Sequence, residues 1–174
     1  MKKLIWAAAL TAVSAFSSAG GTISLVTPDA TPYVGQIFTI DLVVSGNADE
    51  ILGFGLDYLV STGAINLQSY DINPFFGPDF GLPDTNIAAV TFPGTTDATV
   101  TLVSFKFLAQ TAGVSVFSVF SDLNDGNEGL FTLNLTEDLS KALTIDVQAV
   151  PEPASLGLAA VALAGLAVAL RRRK

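Results

Sequence analysis

The sequence contains no cysteine and no histidine among its 174 residues. Without cysteine the chain forms no disulfide, so its fold must be held together by core packing or by a metal. Without histidine it lacks the commonest general base and the commonest zinc ligand. No serine or threonine stands beside a lysine in a pattern typical of nucleophilic catalysis, and no acid pair suggests glycoside hydrolysis. We therefore predict that the protein is not an enzyme.

Positive charge is scarce, and most of it lies at the two ends of the chain. Of the eight Lys and Arg residues, two are Lys2 and Lys3 and four are the last four residues. Residues 20–150 keep only Lys106 and Lys141 against fifteen Asp and Glu residues, which gives this body a net charge of −13. Such a surface repels nucleic acid. It suits a cation-rich extracellular medium.

The N-terminus has the composition of a secretory signal. Lys2 and Lys3 precede thirteen largely apolar residues, and small residues follow up to Ala19. The apolar run is too short for a membrane-spanning helix, which needs ~20 residues. We predict a signal peptide over residues 1–19, cut by signal peptidase between Ala19 and Gly20. The alternative is an N-terminal membrane anchor.

The C-terminus combines an apolar segment with a basic tail. Residues 154–170 carry no charge, and Arg171, Arg172, Arg173 and Lys174 follow them. Seventeen residues at about 1.5 Å each nearly span the hydrocarbon core, and long basic side chains reach the interface. Basic residues stay on the cytoplasmic side. We predict a transmembrane helix over 154–170 with the body outside; a buried core helix is the alternative.

The order Pro151-Glu152-Pro153, apolar segment and arginine-rich end resembles the PEP-CTERM sorting signal. The resemblance implies a Gram-negative bacterium, often one that makes exopolysaccharide. It also implies cleavage near the Pro-Glu-Pro by an exosortase, a transpeptidase-like membrane enzyme. Pro151, Glu152, Pro153, Arg171, Arg172 and Arg173 are the residues that carry this prediction. The two prolines hold the segment extended, which is the conformation that a protease-like active site binds.

The body between the ends reads as a series of short strands. Phe38, Ile40, Leu42 and Val44 alternate with polar residues, which is typical of a strand with one buried face. Within residues 99–108 the apolar positions change from even to odd numbers, which predicts a bulge near Leu102 and Val103. Turns are expected at Pro93-Gly94 among other places, and a helical turn over residues 137–142. About nine strands, an all-β sandwich of the jelly-roll type, are predicted at residues 22–27, 37–45, 52–60, 64–70, 86–92, 99–108, 113–120, 130–135 and 143–148.

Three stretches of the body resemble the cohesin-like family of nine-stranded jelly rolls. They are VGQIFTIDLVVSG (34–46), ILGFGLDYLVSTGAINL (51–67) and VTLVSFKFLAQTAGVSVFSV (100–119). The resemblance implies one cohesin-like domain over residues 20–150. Leu59 stands where the family usually has an aspartate after Tyr or Phe, so the resemblance does not predict a dockerin partner.

Two loops contain residues suited to ligands. SDLNDGNEGLF (121–131) groups Asp122, Asn124, Asp125 and Glu128, whose oxygens are the ligand type that calcium prefers. The alternative is a polar hairpin loop, because Asn, Asp and Gly favour turns for their own reasons.

The second loop, DINPFFGPDFGLPD (71–84), carries three phenylalanines among prolines and carboxylates. Phe75, Phe76 and Phe80 are candidates for stacking on sugar rings. The alternative is that they fold back and cover an open end of the sandwich, because three exposed phenylalanines would favour aggregation.

Together these features predict an exported, exosortase-processed protein of the cell surface or extracellular matrix with a structural or adhesive role. The alternative is a carbohydrate- or calcium-dependent binding module, and a hydrolase is the third hypothesis. The expected location is an inner-membrane-anchored precursor and then the envelope or matrix. Beyond the processing enzymes, the expected partners are extracellular polysaccharide or another surface protein.

Overall fold

The computed structural model describes residues 21–46, 49–61, 63–82 and 85–151. The predicted signal peptide with Ala19 and Gly20, the predicted helix 154–170, and Glu152, Pro153, Arg171, Arg172 and Arg173 lie outside these residues. Within the described residues, none of the secondary structure is a helix of the length and apolarity that crossing a membrane requires.

The described chain is built from strands. The one helical element among them is a short 3₁₀ helix at Pro74–Phe76. The strands are β1 (Thr22–Val26), β2 (Ile37–Ser45), β3 (Ile51–Val60), β4 (Ile65–Ile72), β5 (Ile87–Thr95), β6 (Thr99–Ala109), β7 (Gly113–Phe120), β8 (Gly129–Thr132), β9 (Thr136–Glu137) and β10 (Lys141–Val147).

Two antiparallel sheets face each other. The first has the order β1-β2-β6-β4. In the second, β3 is central and pairs with β5 on one side. On its other side β3 pairs with β7 through its C-terminal half and with β8 through its N-terminal half. β10 and β9 continue this arrangement by pairing with β7 and β8. β7 and β8 therefore lie end to end along the same side of β3, and the loop 121–128 separates them.

The core lies between the sheets and follows the period-two pattern of the sequence. Phe38, Ile40, Leu42 and Val44 are buried on the inner face of β2, which confirms the predicted register. From the opposite sheet, Phe117 packs edge-to-face against rings of β6, with centroids 4.8 Å from Phe105 and 5.0 Å from Phe107. Aromatic pairs of this geometry add to the free energy of apolar burial.

All nine predicted strands are present, with ends that differ by a few residues. The predicted bulge is confirmed, because Leu42 is opposite Val103 while Val43 is opposite Thr101, which leaves Leu102 as the extra residue. Leu102 and Val103 are both fully buried, so the bulge turns two consecutive side chains into the core.

Two local predictions are wrong. The helical turn over residues 137–142 is absent, because Thr136–Glu137 pairs with β8 and Lys141–Val147 pairs with β7. Pro93-Gly94 does not end the fifth strand, which continues to Thr95 opposite Ile51. The side chain of Glu50 accepts a hydrogen bond from Gly94 N at 2.7 Å, a partner 44 residues away that local sequence does not reveal.

The chain enters and leaves the sandwich at opposite ends. Thr22 is opposite Ser45 at one end, whereas Val147 is opposite Gly113 at the other. Beyond β10, Gln148 N donates to Pro32 O at 2.8 Å, and Val34 N donates to Gln148 O at 3.0 Å. We call the end at which β10 finishes, formed by residues 27–36, 110–114 and 146–151, the exit end.

Candidate functional site

The acidic loop 121–128 lies across the outer face of β3. Phe54 and Leu56 point into the core, so Gly55 between them faces outward. A Cβ at Gly55 would overlap the carbonyl group of Asn127, which means that the loop backbone rests directly on the strand there. Glycine at position 55 is thus the residue that lets the loop approach the sheet.

Hydrogen bonds inside the loop hold its shape. Asp122 Oδ1 accepts from Asn124 N at 2.9 Å and from Asn124 Nδ2 at 2.8 Å. Asp125 Oδ1 accepts from Asn127 N at 3.0 Å. Glu128 Oε2 accepts from Asp122 N at 2.5 Å, which closes the loop at its base. The structure therefore brings the four predicted calcium ligands into one loop, but oxygens of three of them are bound to the loop's own N–H groups.

Glu128 is a buried acid among other acids. Only 4% of its surface is exposed. Burial raises the pKa of Glu128; the hydrogen bond from Asp122 N opposes this, and the negative charges of Asp57, Asp125 and Asp122 add to the increase. The pKa of Asp122 is instead lowered by its hydrogen bonds with Asn124. Asp57, on the outer face of β3, belongs to this cluster and was missed because it lies 65 residues before Asp122 in the sequence.

Among the residues that the structure describes, no group of three or more His, Cys, Asp or Glu side chains is placed to hold a metal ion. The calcium interpretation of Asp122, Asn124, Asp125 and Glu128 therefore stays a prediction. The Asx-type turns match the alternative of a polar turn-forming loop, but the loop joins two strands that both pair with β3, so it is not the connection of a hairpin.

The three phenylalanines of the connection 71–84 have different surroundings. Phe76 is fully buried and packs edge-to-face on Phe54, with ring centroids 5.4 Å apart. It belongs to the core, which corrects its assignment as a ligand contact. Phe75 packs against Phe76 at 5.6 Å, yet it and Phe80 stay about half exposed. Phe75 and Phe80 therefore remain candidates.

Asp79 fastens this connection to the free side of β5. Its carboxylate accepts hydrogen bonds from Ala88 N at 3.1 Å, Gly81 N at 3.0 Å and the Tyr70 hydroxyl at 2.8 Å. Partial burial acts to raise the pKa of Asp79, but these hydrogen bonds outweigh it and lower that pKa. The hydrogen bond between the Tyr70 hydroxyl and Asp79, together with burial and the negative charge of Asp79, raises the pKa of Tyr70 to about 12. Phe80 N completes the attachment by donating to Ala88 O at 2.9 Å.

The most exposed aromatic side chain of the described residues is Phe92 on β5. Val90 is opposite Gly53 and Thr95 is opposite Ile51, so residues 91–94 bulge outward from the sheet. Phe92 lies in this bulge and is 95% exposed. Sequence reasoning missed it because Pro93-Gly94 was interpreted as a turn after the strand. Phe75, Phe80, Val90 and Phe92 together line one edge of the second sheet, which we call the β5 surface.

The exposed end of the described chain is the start of a known signal. Val150 and Pro151 are exposed beyond the last hydrogen bond of Gln148. Residues 149–174 match the PEP-CTERM protein-sorting motif family, which confirms the resemblance seen in the sequence. A PEP-CTERM motif implies an exported protein that an exosortase processes.

The sandwich is similar to cohesin modules in solved structures. One is the cohesin module of a family 33 glycoside hydrolase from Clostridium perfringens, with 12% identity over 76% of this chain and 100% of that chain, at a TM-score of 0.48. Another is a type II cohesin domain from the cellulosome of Acetivibrio cellulolyticus, with 14% identity over 76% of this chain and 92% of that chain, at a TM-score of 0.47. Neither similarity assigns a partner to this chain. No curated protein matches it significantly.

Proposed function

We propose that the protein is an exported, exosortase-processed component of the cell surface or extracellular matrix, and that its sandwich has a non-catalytic structural or adhesive role. The observation that carries this proposal is the PEP-CTERM match at residues 149–174. The N-terminal signal, with cleavage after Ala19, supplies the export step. The apolar segment 154–170 and the tail from Arg171 hold the precursor in the inner membrane of a Gram-negative bacterium, with the body outside.

The geometry of the exit end supports processing of the folded protein. Of the residues described up to Pro151, the last one hydrogen-bonded to the sandwich backbone is Gln148, and Ala149, Val150 and Pro151 are exposed. A protease-like enzyme binds its substrate as an extended strand. A signal that begins outside the fold is accessible to such an enzyme without unfolding of the domain.

The test is the mass of the mature protein in its native host. Mass spectrometry of surface or matrix fractions should find a chain that begins at Gly20 and ends near Pro153. Replacement of Pro151 and Pro153 by alanine should leave the precursor intact in the membrane. Recovery of Arg171–Arg173 on most of the surface protein would contradict exosortase processing and leave a permanently anchored protein.

A second candidate function is carbohydrate binding at the β5 surface. The observation that favours it is the exposure of Phe92 at 95%, with the half-exposed Phe75 and Phe80 along the same edge. Aromatic faces stack on the apolar faces of sugar rings, and the nearby carboxylates of Glu50 and Asp79 can accept hydrogen bonds from sugar hydroxyls. The ligand expected for a matrix protein is an extracellular polysaccharide.

A glycan array, read with and without calcium, tests this candidate. Wild-type protein should retain one class of polysaccharide, and Phe92→Ala and Phe80→Ala should each reduce retention. Tyr33→Ala, at an aromatic of the exit end that is about as exposed as Phe80, is the matched control and should bind as wild type does. Equal binding by all variants would exclude the β5 surface as the site, and turnover of a retained glycan would make the protein a hydrolase.

A further inference from the structure

The exit end differs from the opposite end in its charge. Among residues 27–36, 110–114 and 146–151 the charged side chains are Asp29 and Asp146. Both are hydrogen-bonded by glutamine: Gln36 Nε2 donates to Asp29 at 2.8 Å, and Gln148 Nε2 donates to Asp146 at 2.8 Å. On a body with a net charge of −13, this end is thus a region of low charge density.

The opposite end is more acidic. There Leu133 N donates to Glu50 O at 2.9 Å, and Asn134 Nδ2 donates to the carboxylate of Asp49 at 2.8 Å. Asp97 follows β5 in the neighbouring turn. The carboxylates of Asp49, Glu50 and Asp97 would each be repelled by an anionic membrane surface within about 8 Å, the screening length at physiological salt.

Apolar side chains accompany the low charge at the exit end. Tyr33 is 49% exposed beside Gln148, with which it forms an isolated β-bridge. Exposed Ile37, Val114 and Val150 lie within a few residues of the same segments. Tyrosine is enriched at membrane interfaces because its ring is apolar and its hydroxyl stays hydrated.

The length of chain that follows limits how far this end can lie from a membrane. Gln148 is held by the sandwich, and the apolar segment begins six residues later at Ala154. Six residues extend over at most about 20 Å. The headgroup layer itself occupies about 5–7 Å of that distance on each side of a bilayer.

We propose that in the anchored precursor the exit end rests on the phospholipid bilayer, with Tyr33 at headgroup level, while the acidic opposite end and the β5 surface face away from it. This inference rests on the anchored precursor of the proposed function. The bilayer is the occupant that the chain's exit point and the low local charge both favour. Contact between the exit end and the bilayer orients the sandwich before cleavage and presents Pro151 at the membrane surface.

The absence of native cysteine makes a labelling experiment direct. Single variants of the full-length chain, Tyr33→Cys, Thr31→Cys and Leu133→Cys, receive an environment-sensitive fluorophore and are reconstituted in phosphatidylethanolamine–phosphatidylglycerol vesicles that contain headgroup spin-labelled lipid. Positions 31 and 33 should be quenched by the lipid several-fold more strongly than position 133. In the Thr31→Cys background, Tyr33→Glu should reduce the quenching and Tyr33→Trp should retain it.

The outcomes separate this proposal from the proposed function. A chain that fails to float with the vesicles would refute the anchored precursor and this inference together. A chain that floats, but shows equal quenching or none at positions 33 and 133, would overturn only the inference. Protection of position 33 from a water-soluble quencher without lipid quenching would assign the exit end to a second copy of the chain, and would also overturn it.

Discussion

At the scale of single residues, Glu128 combines a hydrogen bond that favours its ionised form with surroundings that disfavour that form. Its carboxylate is needed to accept the hydrogen bond from Asp122 N, yet it is buried and surrounded by Asp57, Asp122 and Asp125. A carboxyl group whose pKa is raised by folding stabilises the fold when protonated, and this contribution is lost as the pH rises through the folded pKa. We therefore expect ionised Glu128 to lower the stability of the protein at neutral pH, relative to a neutral side chain at this position.

We expect Glu128→Gln to stabilise the protein at pH 7, because the amide keeps an acceptor for Asp122 N and removes the charge. The increase in the free energy of unfolding should shrink as the pH falls toward the ordinary pKa of glutamic acid, about 4.3. Urea denaturation across this pH range measures it. A gain that does not change with pH would show that the charge of Glu128 is not the cause.

Asp138→Asn is the matched control for that experiment. Partial burial acts to raise the pKa of Asp138, but hydrogen bonds from Ser140 and Ser121 and the charge of Lys141 lower it overall. A lowered folded pKa contributes stability above the unfolded pKa that is lost on acidification. The substitution should therefore destabilise the protein at pH 7, with the opposite pH trend to Glu128→Gln.

At the scale of elements, the loop 121–128 depends on a glycine in a distant strand. The loop covers β3 only because position 55 has no side chain between the strand and Asn127. Gly126, inside the loop itself, has open space around the position of a Cβ. The two glycines therefore predict opposite responses to the same substitution.

Gly55→Ala should displace the loop and cost about 1–3 kcal/mol, the usual range for overpacking. Gly126→Ala should change the free energy of unfolding by no more than about 0.5 kcal/mol, as most surface substitutions do. Chemical denaturation compares the two, and hydrogen exchange of the amides of Asp122 and Asn127 reports the loop directly. Equal effects would mean that the loop does not rest on β3.

The strands were largely predictable because each buries one face and so alternates along the sequence. The bulge at Leu102 was also predictable, since the change of parity in β6 is visible in the residues themselves. The bulge at residues 91–94 was not, because its stabilising partner, Glu50, is distant in sequence. β9 was missed because a strand of two residues has no period to detect.

The candidate sites were predicted less well, because surface exposure depends on tertiary packing. Composition alone indicated the acidic loop and the aromatic connection. It did not distinguish the buried Phe76 from the half-exposed Phe75, since neighbouring residues of one type carry the same local signal. It also missed Asp57 and Phe92, which reach their sites through the pairing of β3 with distant strands.

At the scale of the whole molecule, the net charge of −13 sets the response to cations. Self-repulsion of this size destabilises the compact state, and any salt relieves part of it. The calcium hypothesis adds a specific site at Asp122, Asn124, Asp125 and Glu128. A weak extracellular-type site, with Kd of roughly 10⁻⁴–10⁻³ M, would raise the melting temperature visibly at millimolar calcium.

Because oxygens of Asp122, Asp125 and Glu128 already accept hydrogen bonds within the loop, we expect calcium and magnesium to raise the melting temperature equally. Differential scanning fluorimetry at matched ionic strength measures both. A larger gain with calcium, abolished by Asp122→Ala together with Asp125→Ala, would contradict this expectation and establish the loop as a calcium site.

The opposite placement of chain entry and exit has a mechanical consequence. A pull through Pro151, against a ligand held near the far end of the sandwich, acts along the strands. It loads the seven residue pairs between β10 and β7, from Lys141 to Val147, in shear, so that they resist together rather than opening one at a time. The Tyr33–Gln148 bridge lies at the point where the force enters. If the protein has the proposed surface role, this geometry would let it transmit tension between its C-terminal tether and a bound ligand.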